Sequence, residues 1–209
     1  MSIEIERLEV GVLGTNCYIV HNNANECLII DPGDDADKIA SEVRALGLVP
    51  KAVLLTHGHW DHFGAASRLS QVFGIEVYVH KLDAEFVRDP FKCTFRDFDW
   101  LKDFALEPDA QFEEGRLRIA SFEFEVIHLP GHSKGSSSFY FPDEGVIFTG
   151  DTLFRNAIGR TDLPCSEPEK MEDSLKKLFC LPPETKVFPG HGDETTLAYE
   201  IEFNPFINF

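Results

Sequence analysis

The run Thr56-His57-Gly58-His59-Trp60-Asp61-His62 places three histidines and one aspartate within six residues. Imidazole nitrogens and carboxylate oxygens are ligands for divalent ions of intermediate softness. On extended backbone His57 and His59 project to the same side, because side chains alternate with period two, so this pair can share an ion. Asp61 and His62 fall where a helix would begin and point elsewhere, which allows a second site about 3.5–4 Å from the first. Three further groups recur in a similar setting. His132 lies in Pro130-Gly131-His132-Ser133, Asp151 in Thr149-Gly150-Asp151-Thr152, and His191 in Pro189-Gly190-His191-Gly192, each behind a short apolar run. Seven ligands suit two metals with one shared carboxylate. The expected division is His57, His59 and His132 on one ion, and Asp61, His62 and His191 on the other. Asp151 bridges, because a carboxylate has two oxygens. Ligation by N and O without sulfur points to Zn(II), with Fe or Mn possible. His21, His80 and His128 lie outside these patterns and read as structural.

Such a centre does hydrolytic chemistry. Two divalent ions, less the two carboxylates and a bridging hydroxide, leave one net positive charge for a developing oxyanion. Metal-bound water has its pKa lowered from about 15.7 toward about 7, giving a nucleophile at neutral pH. The oxygen of a tetrahedral intermediate can rest on a metal in place of a backbone oxyanion hole. Asp61 and Asp151 are the candidate catalytic carboxylates.

Loops that follow strands must position these groups. Lys51–Leu55 reads as a buried strand, and the motif helix is expected to run from it to about residue 73. Alternation at residues 3–10 predicts a first strand, and 16–20 and 26–30 predict two more, joined by turn-forming residues 21–25. Asp31-Pro32-Gly33 reads as a turn. Asp34 and Asp35 offer caps for a helix over about 36–47 that stops at Gly47. Residues 76–80 read as a strand and 82–87 as a short helix. The stretch 88–109 is irregular and aromatic (Phe91, Phe95, Phe98, Trp100, Phe104) and reads either as a packed loop or as a lid over the metals. Strands near 116–120, 122–129, 136–141 and 146–149, a helix over about 167–180 and a strand at 186–188 complete the chain. The repeated order of strands then helix predicts two sheets packed inside outer helices.

Composition narrows the function. The 209 residues, 43% hydrophobic and 26% charged, suit one folded domain with a substantial core. Thirty-six acidic against 19 basic residues give a net charge of -17, which opposes binding to nucleic acid and to anionic membranes. No apolar run approaches the roughly 20 residues of a membrane span. The first residues lack the pattern of a signal peptide, so a cytoplasmic protein is expected. The five cysteines, Cys17, Cys27, Cys93, Cys165 and Cys180, form no C-x-x-C. They are expected to be reduced and not to ligate metal.

The H-x-H-x-D-H run with the later G-H-S, T-G-D and P-G-H-G motifs resembles the metallo-β-lactamase superfamily. The resemblance spans residues 15–192. It implies an α/β fold, a four-layer αββα sandwich with two mixed sheets flanked by helices, and the same seven ligands. Asp151 in its full motif differs from many β-lactamases of the fold, which carry cysteine there. Thr149–Phe154, Ile158–Pro164 and Asn204-Pro205-Phe206 resemble the glyoxalase II (hydroxyacylglutathione hydrolase) branch. That likeness implies hydrolysis of a small thioester such as S-D-lactoylglutathione by metal-bound hydroxide. Eighteen residues follow His191, which matches a short branch with one domain over 1–209 and without the helical C-terminal domain that helps bind glutathione in the long enzymes. Arg160 stands where the family has a basic glutathione-contacting residue. It can hold a substrate carboxylate or pair with Asp162. Persulfide dioxygenases look similar and carry a single iron, here on His57, His132 and Asp151. A lactonase or phosphodiesterase would share the ligands. Metal content and a thioester assay separate these readings; the oligomeric state is open.

Overall fold

The computed structural model describes residues 2–95 and 99–207. The first half builds strands β1 (Ile3–Val10), β2 (Thr15–Asn22) and β3 (Glu26–Ile30), then helix α1 (Ala36–Ala45) and strand β4 (Val49–Leu54). Helices α2 (Trp60–Phe63) and α3 (Ala66–Phe73), strand β5 (Glu76–His80), helix α4 (Ala84–Arg88) and strand β6 (Ala110–Phe112) follow. These six strands form one sheet in chain order. β1 to β3 pair antiparallel and β3 to β6 pair parallel.

The second half builds β7 (Gly115–Ile119), β8 (Phe122–His128), β9 (Ser137–Phe141), β10 (Val146–Gly150) and a two-stranded ribbon, β11 (Leu153–Phe154) with β12 (Ala157–Ile158). Helix α5 (Met171–Leu178), strands β13 (Lys186–Pro189) and β14 (Thr195–Thr196), and helix α6 (Leu197–Phe203) close it. The second sheet runs β14-β13-β10-β9-β8-β7. Its β10–β13 pair is parallel and is connected through α5, as β3 and β4 are through α1.

Side-chain alternation divides the core into layers. Along β2, Cys17 and Ile19 face one way and pack with Ile39 and Val43 of α1 and Leu69 of α3. Tyr18 and Val20 face the other way, toward Phe124, Phe139, Phe141 and Phe148 of the second sheet. The outer face of that sheet puts Ile127, Tyr140, Ile147 and Val187 against Met171, Leu175 and Leu178 of α5. The order helix, sheet, sheet, helix is the expected four-layer sandwich. Among the described residues, no helix is long and apolar enough to cross a membrane.

Three local expectations are corrected. The motif helix is two helices, α2 and α3, broken at Gly64-Ala65, where the Ala65 N–H turns to donate to Pro32 O at 2.9 Å. Asp35 occupies the N-cap of α1 in a left-handed conformation and makes no side-chain cap; its carboxylate accepts from Gly11 N–H instead. Pro168 begins a 3-10 turn, Pro168–Lys170, and α5 starts only after it. The short elements β6, β11, β12, β14 and α6 carry too few periodic residues to be read in advance. In the aromatic stretch, Trp100 and Phe104 pack on Trp60 of α2, with ring centroids 4.9 and 5.8 Å away. Leu101 is buried and Phe95 exposed. That is a loop packed on the helix that carries Asp61 and His62; Phe98 lies outside the described residues.

Candidate metal centre

Five loops, each entered from a strand, converge on one edge of the sandwich. Asp31 follows β3, His57–His62 follow β4, His132 follows β8, Asp151 follows β10 and His191 follows β13. The two sheets are laced together at this edge. Asn16 N–H donates to Gly190 O at 2.8 Å, and the Asn16 side chain donates to Pro189 O and Gly192 O. Tyr18 Oη donates to Pro189 O at 2.7 Å. Gly33 allows the β3 loop to touch the ligand run, because a Cβ there would lie 1.6 Å from Asp61 O.

The seven sequence-predicted groups meet here in two clusters of metal-ligand spacing: His57, His59 and His132, and Asp61, His62 and His191. Asp151 lies between the clusters. Its Oδ1 is 3.4 Å from His62 Nε2, while its Oδ2 is 3.4 Å from His132 Nε2 and 3.7 Å from His191 Nε2. His191 Nε2 is 3.4 Å from Asp61 Oδ2. His57 Nε2, His132 Nε2 and Asp151 Oδ1 are buried without a hydrogen-bond partner. Buried polar atoms are costly to leave unmatched, so orphaned lone pairs aimed into one centre fit a cation.

The outward ring nitrogens are held, as metal-bound imidazoles require. His57 Nδ1 meets Thr56 Oγ1 at 3.0 Å, His132 Nδ1 meets Arg160 O at 2.7 Å, and His62 Nδ1 meets Asp31 Oδ2 at 3.0 Å. The carbonyl and the carboxylate can only accept, which makes Nδ1 the donor in His132 and His62 and leaves Nε2 for a ligand.

Burial, and then the neighbouring imidazoles, keep His57 and His59 well below the ordinary imidazole range. Burial also lowers His132, outweighing the nearby Asp151. Neutral imidazole is the ligating form. His62 differs. Burial alone would lower it, but Asp151, Asp61 and Asp31 surround it and push it up to about 10. Burial likewise works against the Asp61 carboxylate, yet His62 and His191 hold it below the usual range. A cation in this cluster would take the place of a proton on His62.

The sequence marks Asp31 only as a turn residue. It is buried, with φ of 50°, and accepts from Thr56 N–H and Thr56 Oγ1 as well as facing His62. An acidic residue directly behind an apolar strand was the available signal, as it was for Asp151. Asp83 was also missed. Buried beneath the ligand loops, it accepts from Gly58 N–H, Gly135 N–H and Ser133 Oγ, and so ties the His57–His59 loop to the His132 loop. The Arg160 guanidinium forks onto Asp162, at 2.6 and 2.9 Å, and both are exposed. His21, His80 and His128 stand outside the clusters. His128 stacks on His80 at 4.3 Å and bonds Lys134 O.

The expectation of reduced cysteines is overturned for one pair. Cys93 and Cys165 are joined by a disulfide, while Cys17, Cys27 and Cys180 are free. Cys165 Sγ lies 3.1 Å from His59 Nε2, so a sulfur does stand beside the metal motif. The pair is 72 residues apart in sequence, and tertiary folding alone brings it together.

The metallo-beta-lactamase superfamily family model matches residues 10–191. The chain belongs to this superfamily. Within it, the chain is 37% identical over 209 residues to the hydroxyacylglutathione hydrolase GloC of Haemophilus influenzae, covering 99% of each. Among solved superfamily structures it is similar to BLEG-1, described as a B3 metallo-β-lactamase. The TM-score is 0.91 and the identity 37%, covering 99% of this chain and 100% of that one. It is also similar to TTHA1623 in a di-iron-bound form, with a TM-score of 0.84 and 39% identity, covering 96% of this chain and 99% of that one.

Proposed function

We propose that this metallo-β-lactamase superfamily enzyme is a dinuclear hydrolase of a small thioester of the S-D-lactoylglutathione type. The observation that carries the reading is Asp151, whose carboxylate lies between the two three-ligand clusters, with His62 and His191 of one and His132 of the other within 3.7 Å. In this reading His57, His59 and His132 hold one divalent ion, Asp61, His62 and His191 hold the other, and Asp151 spans both. Zn(II) is the first choice for an all-N/O set, with Fe and Mn as alternatives. When bound, the ions lower the pKa of water toward about 7 and so supply the nucleophile at neutral pH. The chain's own part is to orient. Thr56 and Asp31 fix the rings of His57 and His62, Asp151 and Asp61 balance the charge, and burial keeps three imidazoles neutral. The thioester class is supported by the full-length likeness to GloC.

Arg160 is the candidate for a distal substrate carboxylate. Its present partner is exposed, and exposed pairs are worth only about 0–1 kcal/mol, so a substrate can displace Asp162. Arg160→Ala then raises KM more than it lowers kcat.

The direct test is S-D-lactoylglutathione offered under nitrogen, with one free thiol expected per turnover. Oxygen consumption with glutathione persulfide and no thiol release would favour a single-iron dioxygenase on His57, His132 and Asp151. The likeness to BLEG-1 supports a second hydrolytic reading, in which a β-lactam is opened and the thioester is left intact.

A further inference from the structure

Each imidazole of the first cluster needs an outer partner to hold its ring. For His57 that partner is Thr56 and for His132 it is the Arg160 carbonyl. For His59 it is Cys165 Sγ, 3.1 Å from Nε2. A disulfide sulfur carries no proton, so His59 Nε2 must be the donor and Nδ1 keeps the lone pair. The sulfur is itself anchored twice. It is bonded to Cys93, at the end of the turn Pro90–Cys93. It also belongs to a segment tied to the His132 loop, through Ser166 Oγ to His132 O at 2.7 Å and Glu167 N–H to Gly131 O at 2.9 Å. Phe86 and Leu163 enclose the pair.

We propose that the Cys93–Cys165 disulfide is a redox-controlled positioning device for His59, which sets how tightly the His57/His59/His132 cluster holds its ion. The inference rests on the two-ion reading and extends it to regulation of one of the two sites. Two electrons and two protons, delivered by a small dithiol that leaves as its own cyclic disulfide, convert the pair to two thiols. The sulfurs then part to van der Waals separation. Cys165 loses its tether, and His59 loses the fixed acceptor that orients it. Outer partners of metal-bound histidines are typically worth about 10–100-fold in metal affinity.

The test loads the full chain with zinc(II), oxidised or treated with dithiothreitol, and titrates both forms with a competing chelator while counting thiols in denaturant. The expected result is three reactive thiols in the oxidised form and five after reduction, with one of the two zinc ions bound about 10–100-fold more weakly after reduction and the other unchanged. Cys93→Ser and Cys165→Ser should both show the weaker constant and no response to oxidant. A thermal melt confirms that each variant is folded, and the wild-type comparison stands without them. Equal constants in the two wild-type forms, equal weakening of both ions, or five thiols in the oxidised form would overturn the inference and leave the two-ion reading standing. Failure to bind zinc in either state would overturn both.

Discussion

Asp151 and His62 are both placed in the centre, but their positions differ in consequence. Asp151 faces both clusters, whereas His62 closes one. Asp151→Ala is therefore expected to lower the occupancy of both ions, and His62→Ala mainly one, as elemental analysis per chain would show. Selective loss of one ion in both variants would remove the bridge. Asp83 gives a pH prediction. Burial raises its carboxyl from 3.8 to about 6, although Ser133, Gly58 and Gly135 all donate to it. Between roughly pH 4 and 6 the folded state then binds the proton more tightly than the unfolded chain. The group's contribution to stability falls as pH rises through that window and is flat above it, a change of about 3 kcal/mol. In metal-free protein, Asp83→Asn should abolish that component. Urea unfolding at pH 4.5 and 6.5 measures it as a difference in slope between wild type and variant. Identical pH dependence in the two proteins would contradict the assignment.

At the scale of elements, the site depends on strands that deliver loops to one edge and on glycines that let those loops touch. Gly190 closes β13 onto the centre, and a Cβ there would lie 2.2 Å from Asp151 Oδ1 and 2.8 Å from His62 Cε1. Gly190→Ala should displace Asp151 and lower metal content. The crowding itself costs about 1–3 kcal/mol, readable as a lower Tm alongside elemental analysis. A variant with full metal content and unchanged Tm would show that the loop has room to yield. The strands that carry ligands were readable from the sequence because β4, β10 and β13 carry short apolar runs and β8 alternates, and each leads into Gly, Pro or Thr. The helix break at Gly64-Ala65 was not. It arises because Pro32 O, from a loop after another strand, captures the Ala65 N–H.

For the whole molecule, the two proposed cations would join two sheets that otherwise share an apolar interior and the hydrogen bonds of Asn16 and Tyr18. An ion held at a hundred- to a thousandfold above its Kd adds about 3–4 kcal/mol to stability. For a chain of this size, removing even one should lower Tm by roughly 6–16 °C. Thermal melts before chelation, after it, and after zinc is restored would show the drop and its reversal. Superimposable curves would mean that the sandwich stands without metal.

What the sequence determined by itself was whatever is encoded over short distances along the chain. Period-two alternation in β2 sorts Cys17 and Ile19 from Tyr18 and Val20 and so specifies a sheet with two covered faces. The spacing within His57–His62, and the Gly-x motifs around His132, Asp151 and His191, specify the ligand chemistry. The tertiary structure decided what depends on approach through space. Asp31 became the partner of His62, and Asp83 the knot between two loops. Cys165 met both Cys93 and His59, the latter 106 residues away. No local pattern marks such meetings, because a side chain's partner across the molecule is set by how whole elements pack and not by its neighbours in sequence.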